Sequence, residues 1–358
     1  MTQAEFTHRV AALDGVRGFA ALAVLPYHAI LPLHKSGLKL LTTPIWEISG
    51  AYDRWFKFWL MVFNGQAAVV LFFILSGFVL IKSMERDFNS RSELSASVAF
   101  VVRRVLRIMP AVIACVLAIA VAMWALSKPF PMKAIIDNLL LISSSVNGAS
   151  WTLQAEMLAI PFLLLAGLAM HRFGLISLWM FLLMAFIVTR KPSFSNALFY
   201  LDKNLLYFAL GCLIPYYANL IRRVPLPLPW WGTLLAFLTV GQFIYLQAVM
   251  GALLIMQVYV TSPPLLTGHT ACFFGRLSYS FYLWNVLFLQ VFYSLSFFPG
   301  WFANYPVECG IVVSIVIAVL TVPVALFSVR FIENPGIELG RRLTSRTRPT
   351  TSPVLAEG

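Results

Sequence analysis

Apolar stretches of membrane-crossing length recur along the whole chain, separated by short segments that carry Lys, Arg, Gly and Pro. They run approximately over 13–33, 59–82, 105–127, 152–170, 174–190, 198–218, 229–247, 249–266, 276–296 and 309–331. A helix rising 1.5 Å per residue needs about 20 apolar residues to cross roughly 30 Å of hydrocarbon. The pattern therefore predicts an all-α integral membrane protein, a polytopic bundle of about ten transmembrane helices. The stretches are continuous, unlike the short alternating segments of an outer-membrane barrel. Only Gly241 and Gly251 punctuate the seventh and eighth, and fusing those two would move the C-terminus to the other side of the membrane.

The first stretch, LDGVRGFAALAVLPYHAILPL, carries Asp14, Arg17 and His28 inside otherwise apolar sequence. Such groups are costly in hydrocarbon and belong on a bundle interior or a water-filled cavity. Arg17 and His28 are eleven positions apart, which puts them within about 20° around a helix axis and about 16 Å apart along it. Measured from the middle of this span, His28 lies about 7 Å toward the outer side and Arg17 about 9 Å toward the inner. Glu156, in the fourth span running the other way, also lies about 7 Å to the outer side. Matching depth predicts a carboxylate beside an imidazole, which fixes the tautomer of a general base acting on a hydroxyl.

Composition supports this class and sets orientation. Of the 358 residues 60% are hydrophobic and 11% charged, and the mean hydropathy is +0.84. The formal charge of +12 resides in inter-helix segments, where topology signals sit, so nucleic acid is not the expected partner. With the N-terminus in the cytoplasm, about two-thirds of the Lys and Arg fall on the inner side, and both termini are predicted cytoplasmic. Residues 1–340 form the membrane domain, and 341–358, basic and rich in Ser, Thr and Pro, read as a disordered cytoplasmic tail. The N-terminus leads straight into a span longer than a signal-peptide core, with no clean cleavage site after it, and is expected to stay attached. Cys115, Cys212, Cys272 and Cys309 stand singly in or beside apolar runs and read as small buried hydrophobes.

Other polar groups fall into two sets. In FVVRRVLRIMP, Arg103, Arg104 and Arg107 are spaced to share one side of a helix. That suits phosphate groups, which the planar guanidinium binds as a fork, and it also satisfies the positive-inside rule. Ser150 reads as the N-cap of the fourth span and Trp151 as an interfacial anchor. Asp14 is read as a cap or a partner of Arg17, and Ser76 and Gly77 as small residues that permit close helix packing. No metal-ligand spacing, phosphate-binding glycine loop or serine nucleophile turn is present in the sequence.

From LDGVRGFAALAVLPYHA through LFFILSGFVL, RRVLRIMP and SWTLQAEML to GRLSYSFYLWN and FIENP, the chain resembles the membrane-bound acyltransferase family 3, bacterial O-acyltransferases of surface glycans. The family's Arg, ten residues, His signature falls on Arg17 and His28, its basic motif on Arg103, Arg104 and Arg107, and its acidic position on Glu156. The resemblance implies acetyl-coenzyme A as a cytoplasmic donor substrate with no tightly bound cofactor. It implies a hydroxyl acceptor on a glycan or glycolipid, and a multi-pass location among the lipids of a bacterial inner membrane. Ser150, Trp151, Ser278, Tyr279 and Asn285 become pocket candidates. Asn285 stands where family members often carry His, so a titrating role is excluded there while an amide can still hydrogen-bond substrate. Relatives often carry a further soluble domain, so a partner that handles the acceptor would be a separate protein. His28 as base and an acyl-histidine intermediate are rival mechanisms. A carrier or flippase of a glycan or lipid intermediate, or a non-catalytic membrane subunit, are the alternatives from other classes.

Overall fold

The computed structural model describes residues 3–190, 199–223, 227–241, 243–295, 302 and 304–345, and their regular structure is entirely helical. Helix α1 is Gln3–Ile30, followed by the short α2 (Gly37–Thr42) and α3 (Ala51–Val62). Next come α4 (Gly65–Ser90), α5 (Glu93–Ala125), α6 (Met132–Leu139), α7 (Ser150–Phe173), α8 (Ile176–Arg190) and α9 (Phe199–Tyr217). Then follow α10 (Trp230–Thr239), α11 (Ile244–Thr261), α12 (Pro264–Thr267), α13 (His269–Ser294) and α14 (Pro306–Ser328). A π-helical turn, Val329–Glu333, leads into α15 (Asn334–Thr344).

Among the described residues, seven helical stretches are long and apolar enough to cross a membrane. Each of the ten apolar runs contains a helix, but α8 has 15 residues and α10 has 10, short of the roughly 20 that span hydrocarbon. Helix α13 has 26 residues and the necessary length, yet carries Arg276, Ser278, Ser280 and Asn285 and sits inside the bundle. The second predicted span is broken at Asn64, whose side chain accepts a hydrogen bond from the Ala67 amide at 2.9 Å and so caps α4. The chain predicted as tail from residue 341 is still helical to Thr344, where Arg342 pairs with Glu338 at 2.8 Å, and 346–358 lie outside the described residues.

Two close helix contacts fix the core. Helices α1 and α13 run parallel, with a Cβ at Gly275 set to lie 2.2 Å from the Asp14 carbonyl oxygen, and with Tyr293 Oη donating to the Ala29 carbonyl at 2.6 Å. Helices α4 and α9 close on one another through Gly77 and Gly211, where added Cβ atoms would fall 2.2 and 2.0 Å from the carbonyls of Phe208 and Ile74. Small residues replace the missing hydrophobic drive between membrane helices by letting backbones touch. The expectation for Gly77 is met.

At the end of the bundle where α1 finishes, α2 and α3 fold over it. The buried Lys57 donates to the Leu40 and Leu41 carbonyls at 2.9 and 2.7 Å, satisfying the C-terminus of α2, and His34 pairs with Asp53 at 3.1 Å.

Candidate functional site

Near the opposite end of the bundle lies a cavity of about 530 Å³, between α1, α4, α5, α7, α13 and the π-helical turn. It gathers Arg17, Arg104, Arg107 and Arg276 with Asp14, Glu156 and Glu333, four cations against three carboxylates. Arg17 pairs with Asp14 at 3.3 Å, one helical turn away. Arg104 forms an ion pair with Glu156, which also accepts a hydrogen bond from Ser76 Oγ at 2.7 Å. Arg107 and Arg276 are exposed, and among the described residues neither forms an ion pair. Two committed guanidiniums and two free ones therefore face one enclosure.

Adjacent arginines cannot all enter it. Arg103 and Arg104 are neighbours in sequence and diverge by about 100° around the axis of α5. Helix α15 covers the Arg103 face, where a Cβ at Gly340 would come within 3.3 Å of the Arg103 Cα. Arg103 accordingly pairs with Asp87 of α4 and does not line the cavity. Of the basic run, Arg104 and Arg107 are the pair that the structure brings to Arg17.

The expected contact between Glu156 and His28 is not made. Among the described residues His28 meets the ring of Tyr27 edge-on, with centroids 5.4 Å apart, and forms no hydrogen bond to Glu156. The reason is where α7 begins. Its first turn is sunk into the bundle: Asn147 donates to the Leu283 carbonyl at 3.1 Å, in the middle of α13, and to Cys115 Sγ of α5 at 3.3 Å. Depth counted from a surface start therefore misplaces Glu156 toward His28; it lies at the level of Arg17 instead.

That same anchoring revises Ser150. Helix α7 starts at Ser150 with Ala149 in the cap position and no side-chain cap. The Ser150 hydroxyl instead accepts from Asn138 Nδ2 at 2.8 Å and donates to the Asn147 carbonyl at 2.7 Å, clamping the loop. Trp151 is half-buried, edge-on to Phe73 at 6.1 Å. Ser278 and Tyr279 do line the cavity, with their hydroxyls donating to the carbonyls of Gly275 and Ile108, both at 2.8 Å. Asn285 is 1% exposed and lies deeper, two turns beyond.

Three residues that the sequence does not point to as site residues join the site. Ser76 holds Glu156, Arg276 supplies a free cation, and Glu333 accepts from Ser280 and, at 3.2 Å, from Ser328. The π-helical turn widens the helix and turns Glu333 inward, a distortion often found at functional sites. Among the described residues no group of His, Cys, Asp or Glu could hold a metal ion.

Between the cavity and His28 lies a buried apolar cluster, with Tyr282 at the cavity wall. Along one stripe of α1, Arg17 lines the cavity, Ala20 and Val24 are buried against Ala68, Tyr282 and Val286, and His28 is exposed beyond them. The site thus has a cationic chamber at one level and an accessible imidazole about 16 Å further along the same helix, with an apolar layer between.

A comparison with protein families matches residues 10–329 to the acyltransferase domain of family 3. The chain belongs to acyltransferase family 3. The match takes in every helix that lines the cavity up to the beginning of the π-helical turn and leaves Glu333 and Asn334 just outside. No curated protein and no solved structure matches the chain. Membership makes the protein an acyltransferase, and with its apolar helices a multi-pass membrane protein.

Proposed function

We propose that the protein is an acyl-coenzyme A dependent O-acyltransferase, with acetyl as the acyl group and the hydroxyl of a glycan or glycolipid as acceptor, in a bacterial inner membrane. The observation that carries this reading is the chamber holding Arg17, Arg104, Arg107 and Arg276, placed on the same α1 stripe that ends in His28. A polyanion of the size of a nucleotide phosphate group matches the two free guanidiniums. Both termini and the chamber face the cytoplasm in this reading, and the ten apolar helices together make up the membrane domain.

The donor's phosphates engage Arg107 and Arg276, with Arg17 and Arg104 adding field, while the thioester end passes along α1 toward His28. Glu156 acts as a positioning residue that fixes Arg104. The neutral His28 imidazole takes the proton of the acceptor hydroxyl as its oxygen attacks the thioester carbonyl carbon. The new C–O bond forms, the C–S bond breaks, and the coenzyme A thiolate leaves and recovers the proton from the imidazolium. Ser278 and Tyr279 shape the chamber wall.

The test is binding and turnover in nanodiscs. Native protein and His28→Ala should bind acetyl-coenzyme A alike, while only the native protein transfers labelled acetyl to a glycan extract. Near-normal transfer by His28→Ala would remove the base assignment. Absence of donor binding by folded native protein would favour a carrier of a glycan or lipid intermediate.

A further inference from the structure

Asn285 is the most poorly satisfied polar side chain in the described bundle. It is 1% exposed, and neither Nδ2 nor Oδ1 has a hydrogen-bond partner. A buried amide in that state is destabilising, and natural interiors keep few such groups. Nearby amides are treated differently: Asn138 and Asn147 are fully buried, yet their side chains are tied to Ser150, the Leu283 carbonyl and loop amides.

Its position gives the unpaired amide a meaning. One turn to either side, Phe281 and Leu289 pack with Ala21, Leu25 and Ala29 of α1. The flanking Tyr282 and Val286 pack with Ala20 and Val24. Asn285 therefore lies on the α1-facing stripe of α13, inside the apolar layer that separates the chamber from His28. An acyl donor held by its phosphates in the chamber has to send its arm through that layer to reach the imidazole. The arm of coenzyme A is an extended chain interrupted by secondary amides, each offering one N–H and one C=O.

Resting on the donor proposed above, we infer that Asn285 is the binding group for an amide of the donor's arm. Its Oδ1 accepts from the arm N–H and its Nδ2 donates to an arm carbonyl. Among the described residues of the layer, the other polar side chain is Tyr282, whose hydroxyl is already hydrogen-bonded to Thr152, so the amide of Asn285 recognises the arm and sets its register along α1. A buried site that hydrogen-bonds a polar group discriminates strongly against analogues that lack it.

The experiment compares acetyl-coenzyme A with analogues in which one arm amide is replaced by an ester, using the native protein, Asn285→Leu and Asn285→Ala. Donor affinity is measured by titration calorimetry, KM and kcat by acetyl transfer, and folding by thermal melting. The native protein should prefer acetyl-coenzyme A over one ester analogue by on the order of tenfold, the value of one such hydrogen bond. In Asn285→Leu that preference should collapse, KM for acetyl-coenzyme A should rise at least tenfold, and the melting temperature should hold or increase, because an unpaired buried amide has been replaced by an apolar group of similar size. Equal losses for both donors would make Asn285 a packing residue or an amide satisfied by water, and would overturn the inference. So would a native protein indifferent to every ester replacement, a result that needs no variant. Native protein that binds no coenzyme A would remove the donor itself, which is distinguishable from a donor that binds without reading Asn285.

Discussion

Arg276 and Arg107 are the two guanidiniums of the chamber without an ion pair among the described residues, and both are exposed within it. Removing Arg276 should therefore weaken binding of the proposed donor without leaving a buried carboxylate unpaired, whereas Arg107 also lies in the field of the buried Glu333. A charge-assisted hydrogen bond to a phosphate is worth about 1.5–3 kcal/mol, so Arg276→Ala and Arg107→Ala should each raise the Kd for coenzyme A roughly tenfold to 150-fold. The double variant should lose more than either. Arg103→Ala is the internal control. Its guanidinium is held by Asp87 outside the chamber, so its Kd should stay within about threefold of native, with any loss appearing in stability as a broken ion pair. Calorimetry at several salt concentrations in nanodiscs reads all four proteins, and the salt dependence should flatten in the Arg276 and Arg107 variants. Equal losses in Arg103→Ala and Arg107→Ala would refute the placement of the anion site and return the whole basic run to a topology signal.

Three further outcomes follow from the packing. Gly275→Ala forces a Cβ to within 2.2 Å of the Asp14 carbonyl oxygen, so α1 and α13 must separate; overpacking of this kind costs about 1–3 kcal/mol and should appear as a lower melting temperature, with loss of donor binding as Arg17 and Arg276 move apart. In the largely buried pair of Arg104 and Glu156, each single replacement by an uncharged residue should cost up to about 3 kcal/mol by leaving a lone charge, and the double replacement less; additive losses in a double-mutant cycle of unfolding free energies would deny the coupling. S-acetylpantetheine, which lacks the nucleotide and its phosphates, should lose kcat as well as affinity relative to acetyl-coenzyme A, and a loss confined to KM would count against use of phosphate binding to open the bundle.

What the sequence could convey depended on distance along the chain. The all-helical membrane class and the facing of Arg17 and His28 on α1 are local consequences of apolar runs and helical period, and Asp14 pairs with Arg17 as its three-residue spacing implies. Anything that required the depth of one helix against another was less legible. Depth counting that sets Glu156 against His28 requires its helix to begin at a membrane surface, whereas the loop before α7 dives to Leu283 and Cys115. Arg103 and Arg104 are equivalent by composition, and only the cover provided by α15 separates them. Arg276 was legible as a charge inside GRLSYSFYLWN, and Glu333 as a carboxylate closing an apolar run. Their convergence rests on the parallel packing of α13 beside α1 and on a π-helical turn, neither of which leaves a periodic signal.

The division of the molecule into a chamber, a layer and an exposed imidazole bears on where binding energy is used. Ala20, Val24, Ala68, Tyr282 and Val286 form one buried apolar cluster, so on the proposed function a donor that merely occupies the chamber does not reach His28. Opening the layer exposes apolar surface, at about 25 cal/mol per Å², and the two free guanidiniums are a source of binding energy large enough to offset a modest separation. Phosphate contacts distant from the reacting carbonyl then act on the chemical step, because they stabilise the threaded state and not the chamber-bound one alone. Paired carboxylates on Arg17 and Arg104, with Arg107 and Arg276 outside any ion pair among the described residues, fit this division: two cations hold the chamber's shape and two are left for the proposed donor.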